Sequence, residues 1–219
     1  WIGGTRPGNA QFVPPPPQDV EPCLSALERY LHAPDAPGAL VKAALAHVQF
    51  ETIHPFLDGN GRVGRLLIAL ILHHDGVLRQ PLLYLSLYFK RHRAEYYRQL
   101  DAVRHTGNWE AWLDFFLEGV EQTATGAVDT AHRLLALFQQ DAARVRTLGR
   151  SAANALHLFD ALRRRPVATI GVLARQTGVS FATAARHVEA LVHLGILREL
   201  TQKSRERVFA YQGYLDILN

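Results

Sequence analysis

Apolar residues recur every three to four positions through most of residues 19–146, and this helical spacing constrains the fold of the 219-residue chain more than any other feature. Leu24, Leu27 and Leu31 follow the spacing, and residues 40–52 continue it. Before residue 150 we find no strand pattern beyond the first residues of the chain. The sequence therefore predicts a mainly α-helical fold.

Capping and stop residues predict where these helices begin and end. Asp19 is expected to cap the first helix, and Gly76 to stop a helix that runs from about Gly61 to His74. Ser86 is expected to cap a single helix reaching Arg104, and residues 109–146 read as long helical material with a break near Gly126. Four prolines at 14–17 force an extended chain just before the first helix.

The first residues have a different pattern. Apolar pairs Trp1-Ile2 and Phe12-Val13 flank a turn rich in Gly, Pro and Asn, which favours a hairpin or an edge strand.

The last third of the chain predicts a winged helix-turn-helix. Helical stretches near 155–165, 170–176 and 181–194 are followed by two short strands, 196–200 and 208–211, joined by a polar wing. Residues 1–150 hold 15 basic and 15 acidic residues, whereas residues 151–219 hold 9 and 5, so the net charge of +4 lies entirely in the second part. We therefore expect two domains, 1–150 and 151–219.

One segment between two predicted helices carries chemistry: residues 54–65, with the sequence HPFLDGNGRVGR. Gly59 and Gly61 let backbone amides approach an anion at the start of a helix, where N–H groups are unpaired. Arg62 and Arg65, three positions apart, emerge on one face of the first turn and suit a polyphosphate.

The remaining polar residues of this segment complete a reactive site. Asp58 suits a divalent cation such as Mg²⁺ between itself and the phosphates, and Asn60 adds an amide donor. His54, with an ordinary imidazole pKa near 6.5, could take a proton from a hydroxyl nucleophile. These residues predict phosphoryl or nucleotidyl transfer. The Gly-Lys-Ser/Thr ending of a Walker loop is absent from the sequence.

Segment 54–65 resembles the signature of the Fic family of nucleotidyltransferases, HPFx(D/E)GNGRxxR, at every specified position. Residues 50–53, Trp1-Ile2-Gly3-Gly4 and the run 12–17 are also similar, so the resemblance covers about residues 1–150. It implies a helical core with a small hairpin flap, which transfers AMP from ATP to a Ser, Thr or Tyr hydroxyl of a target protein. Other nucleotides stay open, because base selectivity does not reside in the motif.

The resemblance also implies a role for each matching residue. His54 would be the general base, Asp58 would bind Mg²⁺, and Gly59, Asn60 and Gly61 would cradle the α- and β-phosphates. Arg62 and Arg65 would hold the β- and γ-phosphates. The flap, residues 1–17, would align the target through its backbone. The flap residues expected to dock the target are Ile2, Gly3, Gly4 and Phe12.

Family members are often restrained by a helix with the pattern (S/T)xxxE(G/N), whose Glu pairs with the second arginine, here Arg65. This sequence has no convincing copy of it. Because the chain lacks Met and begins at Trp1, we expect it to be part of a longer chain with that helix upstream. We therefore expect these 219 residues to be less inhibited than the longer chain.

Several partners stay open at this stage. The winged module could bind DNA or protein, with six basic residues available for phosphates: Arg163, Arg164, Arg165, Lys203, Arg205 and Arg207. A DNA-binding regulator whose Fic core only senses nucleotide is the alternative to an enzyme. Self-modification at Tyr84, Tyr88 or Tyr97 and a homodimer are further options. One cysteine, no signal-peptide pattern and no long apolar run favour a cytoplasmic protein without a membrane segment.

Overall fold

The computed structural model describes residues 1–35, 37–80, 83–201, 203 and 206–218 and is mainly α-helical, as predicted. Its helices are α1 Pro17–Leu31, α2 Ala39–Ile53, α3 Asn60–His74, α4 Leu85–Arg91, α5 Arg93–Thr106, α6 Trp109–Arg146, α7 Ala152–Arg164, α8 Ile170–Thr177, α9 Phe181–His193 and α10 Gln212–Leu218. Its strands are β1 Val167–Thr169, β2 Leu197–Glu199 and β3 Val208–Tyr211. None of the helices in the described ranges is both long and apolar enough to cross a bilayer.

The chain divides into two compact units, Trp1–Thr125 and Gly126–Asn219. The predicted domain boundary near residue 150 lies further along the chain than this division. Helix α6 runs without a break past Gly126, and its residues Phe138 and Val145 belong to the hydrophobic core of the second unit. The second packed unit therefore begins inside helix α6, before the boundary that we predicted from the end of this helix.

The core of the first unit surrounds α2. This helix buries residues on every side, among them Ala43, Ala44 and Val48, and packs closely against α3. Five aromatic residues of α4, α5 and α6 are buried in this core: Phe89, Tyr96, Trp112, Phe115 and Phe116. The indole N–H of Trp112 donates to the Ala44 carbonyl at 3.1 Å, which satisfies the one polar group that its burial removes from water. Tyr97 and Trp109 are exposed instead.

The predicted break near Gly126 is wrong, because α6 is continuous there, and two other predicted helix boundaries are wrong as well. Helix α1 begins at Pro17, because consecutive prolines preset the backbone of its first turn, and Asp19 lies inside that turn. The stretch expected to form one helix from Ser86 to Arg104 is two helices, α4 and α5, separated at His92 with ψ at +36°. Neither Gly nor Pro marks this position, so periodicity alone does not reveal the break.

The flap is held by one isolated antiparallel bridge between Ile2 and Phe12 rather than by two strands. The Ile2 N–H donates to the Phe12 carbonyl at 2.8 Å, and the Phe12 N–H donates back at 3.2 Å. A 3-10 turn, Pro7–Asn9, closes the loop between them, and the Asn9 side chain accepts from the Arg6 N–H. The predicted hairpin is therefore paired only at its base, between Ile2 and Phe12.

The second unit has the predicted winged helix-turn-helix order. Helices α7, α8 and α9 pack with a three-stranded antiparallel sheet of strand order β1-β3-β2. The side chains of Thr169 and Ser180 accept N–H groups in the first turns of α8 and α9, respectively. Strand β1 and helix α10 were not predicted.

Candidate active site

The segment 54–65 begins where α2 ends. His54 is the residue that follows the helix, with φ at +50°, and its N–H donates to the Phe50 carbonyl at 2.9 Å. This left-handed conformation turns the chain sharply, as glycine often does at helix ends. The imidazole is therefore anchored to the rigid end of a buried helix rather than to a free loop.

Asn60 shapes the loop that follows. Its Oδ1 accepts from the Phe56 N–H at 2.9 Å, and its Nδ2 donates to the Phe56 carbonyl at 2.6 Å. Only 2% of Asn60 is exposed. The side chain predicted as a phosphate donor is thus engaged with the backbone of its own loop, which leaves the Asn60 backbone N–H for an anion.

The start of α3 presents unpaired amides. Gly59 is the N-cap with φ at +89°, and its carbonyl accepts from Arg62 and Val63 at 3.0 Å. The N–H groups of Asn60 and Gly61 lie in the first turn, where a helix supplies no acceptor and carries the positive end of its dipole. This arrangement suits a phosphate.

The side chains of Arg62 and Arg65 lie in different environments. Arg62 has a side chain that is 75% exposed, and its Nη2 donates to Asp58 Oδ2 at 3.0 Å. Arg65 lies beside Gly61, whose Cβ, if present, would be 3.0 Å from Arg65 Nη1. The i,i+3 spacing therefore does not bring both guanidinium groups to one cavity in this structure.

One cleft of about 720 Å³ joins the flap to the end of α2, the start of α3 and helix α5. Of the predicted site residues, Ile2, Gly3, Phe12, His54, Gly61 and Arg65 line it. The others lie outside its lining: Gly4, Asp58, Gly59, Asn60 and Arg62. His54, the predicted base, and Arg65 thus line the same cavity as the flap residues. Tyr97, 49% exposed, also lines this cleft.

The other two tyrosines suggested as acceptors lie elsewhere. Tyr84 is exposed, and Tyr88 is buried in the core. Neither residue lines the cleft, so self-modification at these two tyrosines stays a prediction.

Burial shifts the pKa values of two titratable groups of the cleft, His54 and Glu51. Burial lowers the pKa of His54, Arg104 lowers it further, and the Glu51 backbone carbonyl opposes the change. A lowered pKa favours the neutral imidazole, which is the form that accepts a proton. Burial raises the pKa of Glu51, while Arg65 and Arg104 pull it down. Within the described residues, Glu51 Oε1 is buried without a hydrogen-bond partner.

The packing behind the cleft was not predicted from the sequence. A Cβ on Gly64 would lie 2.6 Å from Glu51 Oε1 and 3.2 Å from the His47 ring, so only glycine allows α2 and α3 to approach this closely. His47 is fully buried, its Nε2 hydrogen bonds with the Tyr96 hydroxyl at 2.9 Å, and burial lowers its pKa to about 4. The signal was present: His47 and Glu51 are four apart on α2, and Gly61 and Gly64 are three apart on α3.

Asp58, the residue predicted to bind a cation, is an exposed carboxylate. In the parts of the chain that the structure describes, no three His, Cys, Asp or Glu residues gather where they could hold a metal ion. Mg²⁺ on nucleotides usually takes one or two carboxylates and completes its shell with phosphates and water. Asp58 is exposed at the start of α3 and would fit such a cation, but in this structure it pairs with Arg62.

Comparison with known proteins agrees with this geometry. Residues 3–72 match the model of the Fic/DOC family. These residues are therefore similar to Fic/DOC domains. Residues 151–200 match the model of the IclR helix-turn-helix domain, which agrees with the helix order of the second unit.

Relatives of the Fic/DOC domain include proteins named as adenylyltransferases. A "Probable protein adenylyltransferase" of Aquifex aeolicus is 42% identical over 69 residues, which are 32% of this chain and 22% of the relative. "Protein adenylyltransferase Fic" of Nematostella vectensis is 34% identical over 116 residues, 52% of this chain and 26% of the relative. This chain thus spans about a quarter of the length of these relatives.

A solved structure shares the fold. The crystal structure of a Fic family protein from Desulfovibrio desulfuricans superposes with a TM-score of 0.51 at 22% identity, covering 90% of this chain and 56% of that one.

The basic residues of the winged module are partly engaged within it. Arg207 donates to Glu189 at 2.7 Å and to both carboxylate oxygens of Glu199, so it braces the wing rather than standing free for a phosphate. Arg163 pairs with Asp160 at 3.0 Å. Arg164, Arg165 and Lys203 are exposed, and Arg205 lies outside the described residues.

Proposed function

We propose that this chain transfers AMP from ATP to a hydroxyl group of a protein. The observation that carries the proposal is the shared cleft, in which His54, the first turn of α3 and Arg65 lie beneath the flap. Adenylyltransferase names among the relatives support it. Because the chain spans only part of those relatives, its own residues must be tested directly.

The proposed reaction is an in-line displacement at the α-phosphorus. The oxygen of the target hydroxyl bonds to the α-phosphorus, the bond to the β-phosphate oxygen breaks, and pyrophosphate leaves. His54 takes the hydroxyl proton as the new bond forms. Backbone N–H groups of Asn60 and Gly61 bind the phosphate oxygens, and Arg65 binds the outer phosphates.

Asp58 would hold Mg²⁺, which supplies charge neutralisation on the phosphates. Arg62, now paired with Asp58, would follow the phosphates on the outer side of α3. The cation and the nucleotide would therefore rearrange one exposed ion pair, and an exposed pair contributes little to stability.

The flap would present the target. Its bridge between Ile2 and Phe12 places an extended backbone along the rim of the cleft, and an extended target segment could add to this edge through main-chain hydrogen bonds. Gly3 and Gly4 have φ of +67° and +71°, so their turn depends on residues without a Cβ.

Labelling with ATP tests the proposal. The purified chain is incubated with α-phosphate-labelled ATP, Mg²⁺ and a cell lysate, and label on this chain or on lysate proteins is measured. We expect labelling that His54→Ala abolishes and His74→Ala, at an exposed histidine outside the cleft, preserves. We also expect Asp58→Ala to lose metal-dependent labelling and Arg65→Gln to weaken it. Binding of ATP without any transfer would instead identify the core as a nucleotide sensor.

A second proposal concerns the winged module, which we expect to bind DNA. Residues 126–219 hold 13 basic and 7 acidic residues, whereas residues 1–125 hold 11 and 13. A positive surplus favours a polyanion. Fluorescence anisotropy with a mixed-sequence duplex should show binding that weakens steeply with salt and with Arg164→Gln/Arg165→Gln. Absence of binding at low salt would leave a protein partner as the occupant.

A further inference from the structure

We infer that Arg104 is a positioning residue that fastens the flap to the end of α2, beside His54. Its consequence for transfer rests on the proposed function, whereas its consequence for flap order does not. The motif does not include Arg104, which lies fifty positions after His54 on α5.

Arg104 reaches three parts of the cleft at once. Its guanidinium carbon lies 3.8 Å from the centroid of the Phe12 ring on the flap. Its Nη2 donates to the Glu51 carbonyl at 3.0 Å, and its Nε donates to Thr52 Oγ1 at 3.3 Å. Its Nη1 pairs with Asp101 Oδ1 at 3.2 Å, and only 9% of the side chain is exposed.

The contact with Glu51 caps α2. The last four carbonyls of a helix lack intrahelical donors and form the negative end of its dipole, where a cation is stabilising. The Glu51 carbonyl belongs to this last turn, and His54 leaves the helix directly after it. Arg104 thus supplies both a donor and a charge at the turn that orients the base.

The contact with Phe12 holds the flap. The bridge between Ile2 and Phe12 joins the flap only to itself. The half-buried Phe12 ring lies against a guanidinium whose nitrogens are engaged on the other contacts, so the ring meets a fixed cation in a water-poor site. Arg104 therefore sets the position of the flap edge relative to the imidazole.

Arg104 already has acceptors for its nitrogens, so it is poorly placed to bind a phosphate. Among the residues facing the phosphate region of the cleft, Arg65 has that role, and its side chain adjoins Gly61 at the start of α3. Of the three arginines that line this cleft, Arg65 adjoins the start of α3, where we propose that the nucleotide binds, and Arg104 joins protein elements.

The charge of Arg104 also acts on the base. The groups that act on the pKa of His54 from neighbouring elements are Arg104 and the Glu51 backbone carbonyl. Because Arg104 disfavours the protonated imidazole, removing its charge raises the pKa of His54. The acid limb of the pH–rate profile should then move to higher pH in Arg104→Gln, and should move less in Arg104→Lys, which keeps the positive charge.

Hydrogen exchange of the flap amides tests the fastening without any enzymatic assay. We compare the full chain with Arg104→Gln, Arg104→Lys and Phe12→Leu, and use Arg98→Gln as a matched control. Arg98 also sits on α5 and pairs with an acidic residue three positions earlier, Glu95, but it is exposed.

In Arg104→Gln the amides of Gln11 and Phe12 should exchange roughly fivefold faster or more, since the cation over the ring is lost. Arg104→Lys should restore part of the protection, because it keeps a cation near Phe12. Phe12→Leu should give the same increase, and the double variant should add little, because both changes break one contact. Unchanged flap exchange in Arg104→Gln, or full additivity with Phe12→Leu, would overturn the inference.

The labelling assay then links flap order to transfer. Arg104→Gln should lower transfer to protein several-fold and shift the acid limb upward, with the KM for ATP nearly unchanged. If the parent chain labels nothing while Arg104→Gln loosens the flap, the proposed function fails and the fastening stands. If transfer and its pH profile are the same in both, Arg104 has no part in positioning the base.

Discussion

Replacing Gly64 by Ala tests the close approach of α2 and α3. The added Cβ would lie 2.6 Å from Glu51 Oε1 and 3.2 Å from His47, far inside ordinary contact distance. Neither neighbour can move freely, because Glu51 is buried and the His47 ring stacks with Phe89 and Trp112 at centroid distances of 5.7 and 5.9 Å. The methyl group must therefore push the helices apart.

Two opposing free energies set the size of the effect. Removing a glycine from a helix interior stabilises by about 0.5–1 kcal/mol, and overpacking a well-packed core costs about 1–3 kcal/mol. We expect Gly64→Ala to lose about 1–2 kcal/mol of unfolding free energy, because the short contact is with the end of a buried side chain. For a unit of this size the loss corresponds to about 3–8 °C in Tm.

Two matched glycines serve as controls in the same thermal and urea unfolding experiments. Gly126, inside α6, has no neighbour within 4 Å of an added Cβ, so Gly126→Ala should gain about 0.5–1 kcal/mol. Gly61→Ala meets only the flexible end of Arg65 at 3.0 Å, so it should change stability little while displacing that arginine. If Gly64→Ala proves as stabilising as Gly126→Ala, the close helix contact is not what requires glycine at position 64.

Two further predictions concern buried polar groups. The pKa of His47 is about 4 in the folded chain and near 6.5 when unfolded, so unfolding takes up a proton between these values. The unfolding free energy should fall by about 3 kcal/mol as the pH drops through this window, and it should fall less in His47→Gln. The raised pKa of Glu51 acts in the opposite direction, because it favours folding at low pH. Urea unfolding of both proteins across the pH range, with one series subtracted from the other, removes this contribution of Glu51. In the second unit, Tyr211→Phe deletes the 2.7 Å hydrogen bond to the buried Asp141 and should cost about 1–3 kcal/mol, measured by urea unfolding; an unchanged midpoint would show that Asp141 finds another donor.

The sequence predicts the local parts of this structure well. His54 lies at a helix end and Gly59 at the start of the next helix, because each feature depends on a few adjacent residues. The helix-turn-helix order follows from apolar spacing and from Gly178, which ends α8 with φ at +72°. Strand β1 has only three residues, too few to show an alternating pattern.

Features that depend on packing between distant segments could not be predicted. Spacing alone places Arg62 and Arg65 on one side of α3, but the rotation of α3 against α2 decides which one enters the cleft. Arg104 has no motif around it, and its importance comes from Phe12 and Glu51, which are far away in sequence. Arg207 is basic and lies on the predicted wing, yet it already forms salt bridges with Glu189 and Glu199.

The hydrogen bonds of Asn60 with Phe56 also govern how this protein ages. Asparagine followed by glycine is the dipeptide that most readily loses ammonia, when the next backbone nitrogen attacks the side-chain amide. In the folded chain both ends of that amide are held by Phe56, and Gly61 is already part of α3. Each episode of local unfolding releases the amide, and conversion to aspartate would replace a donor by an acceptor opposite the Phe56 carbonyl. The loop could not close again, so its chemical lifetime is set by how seldom it opens.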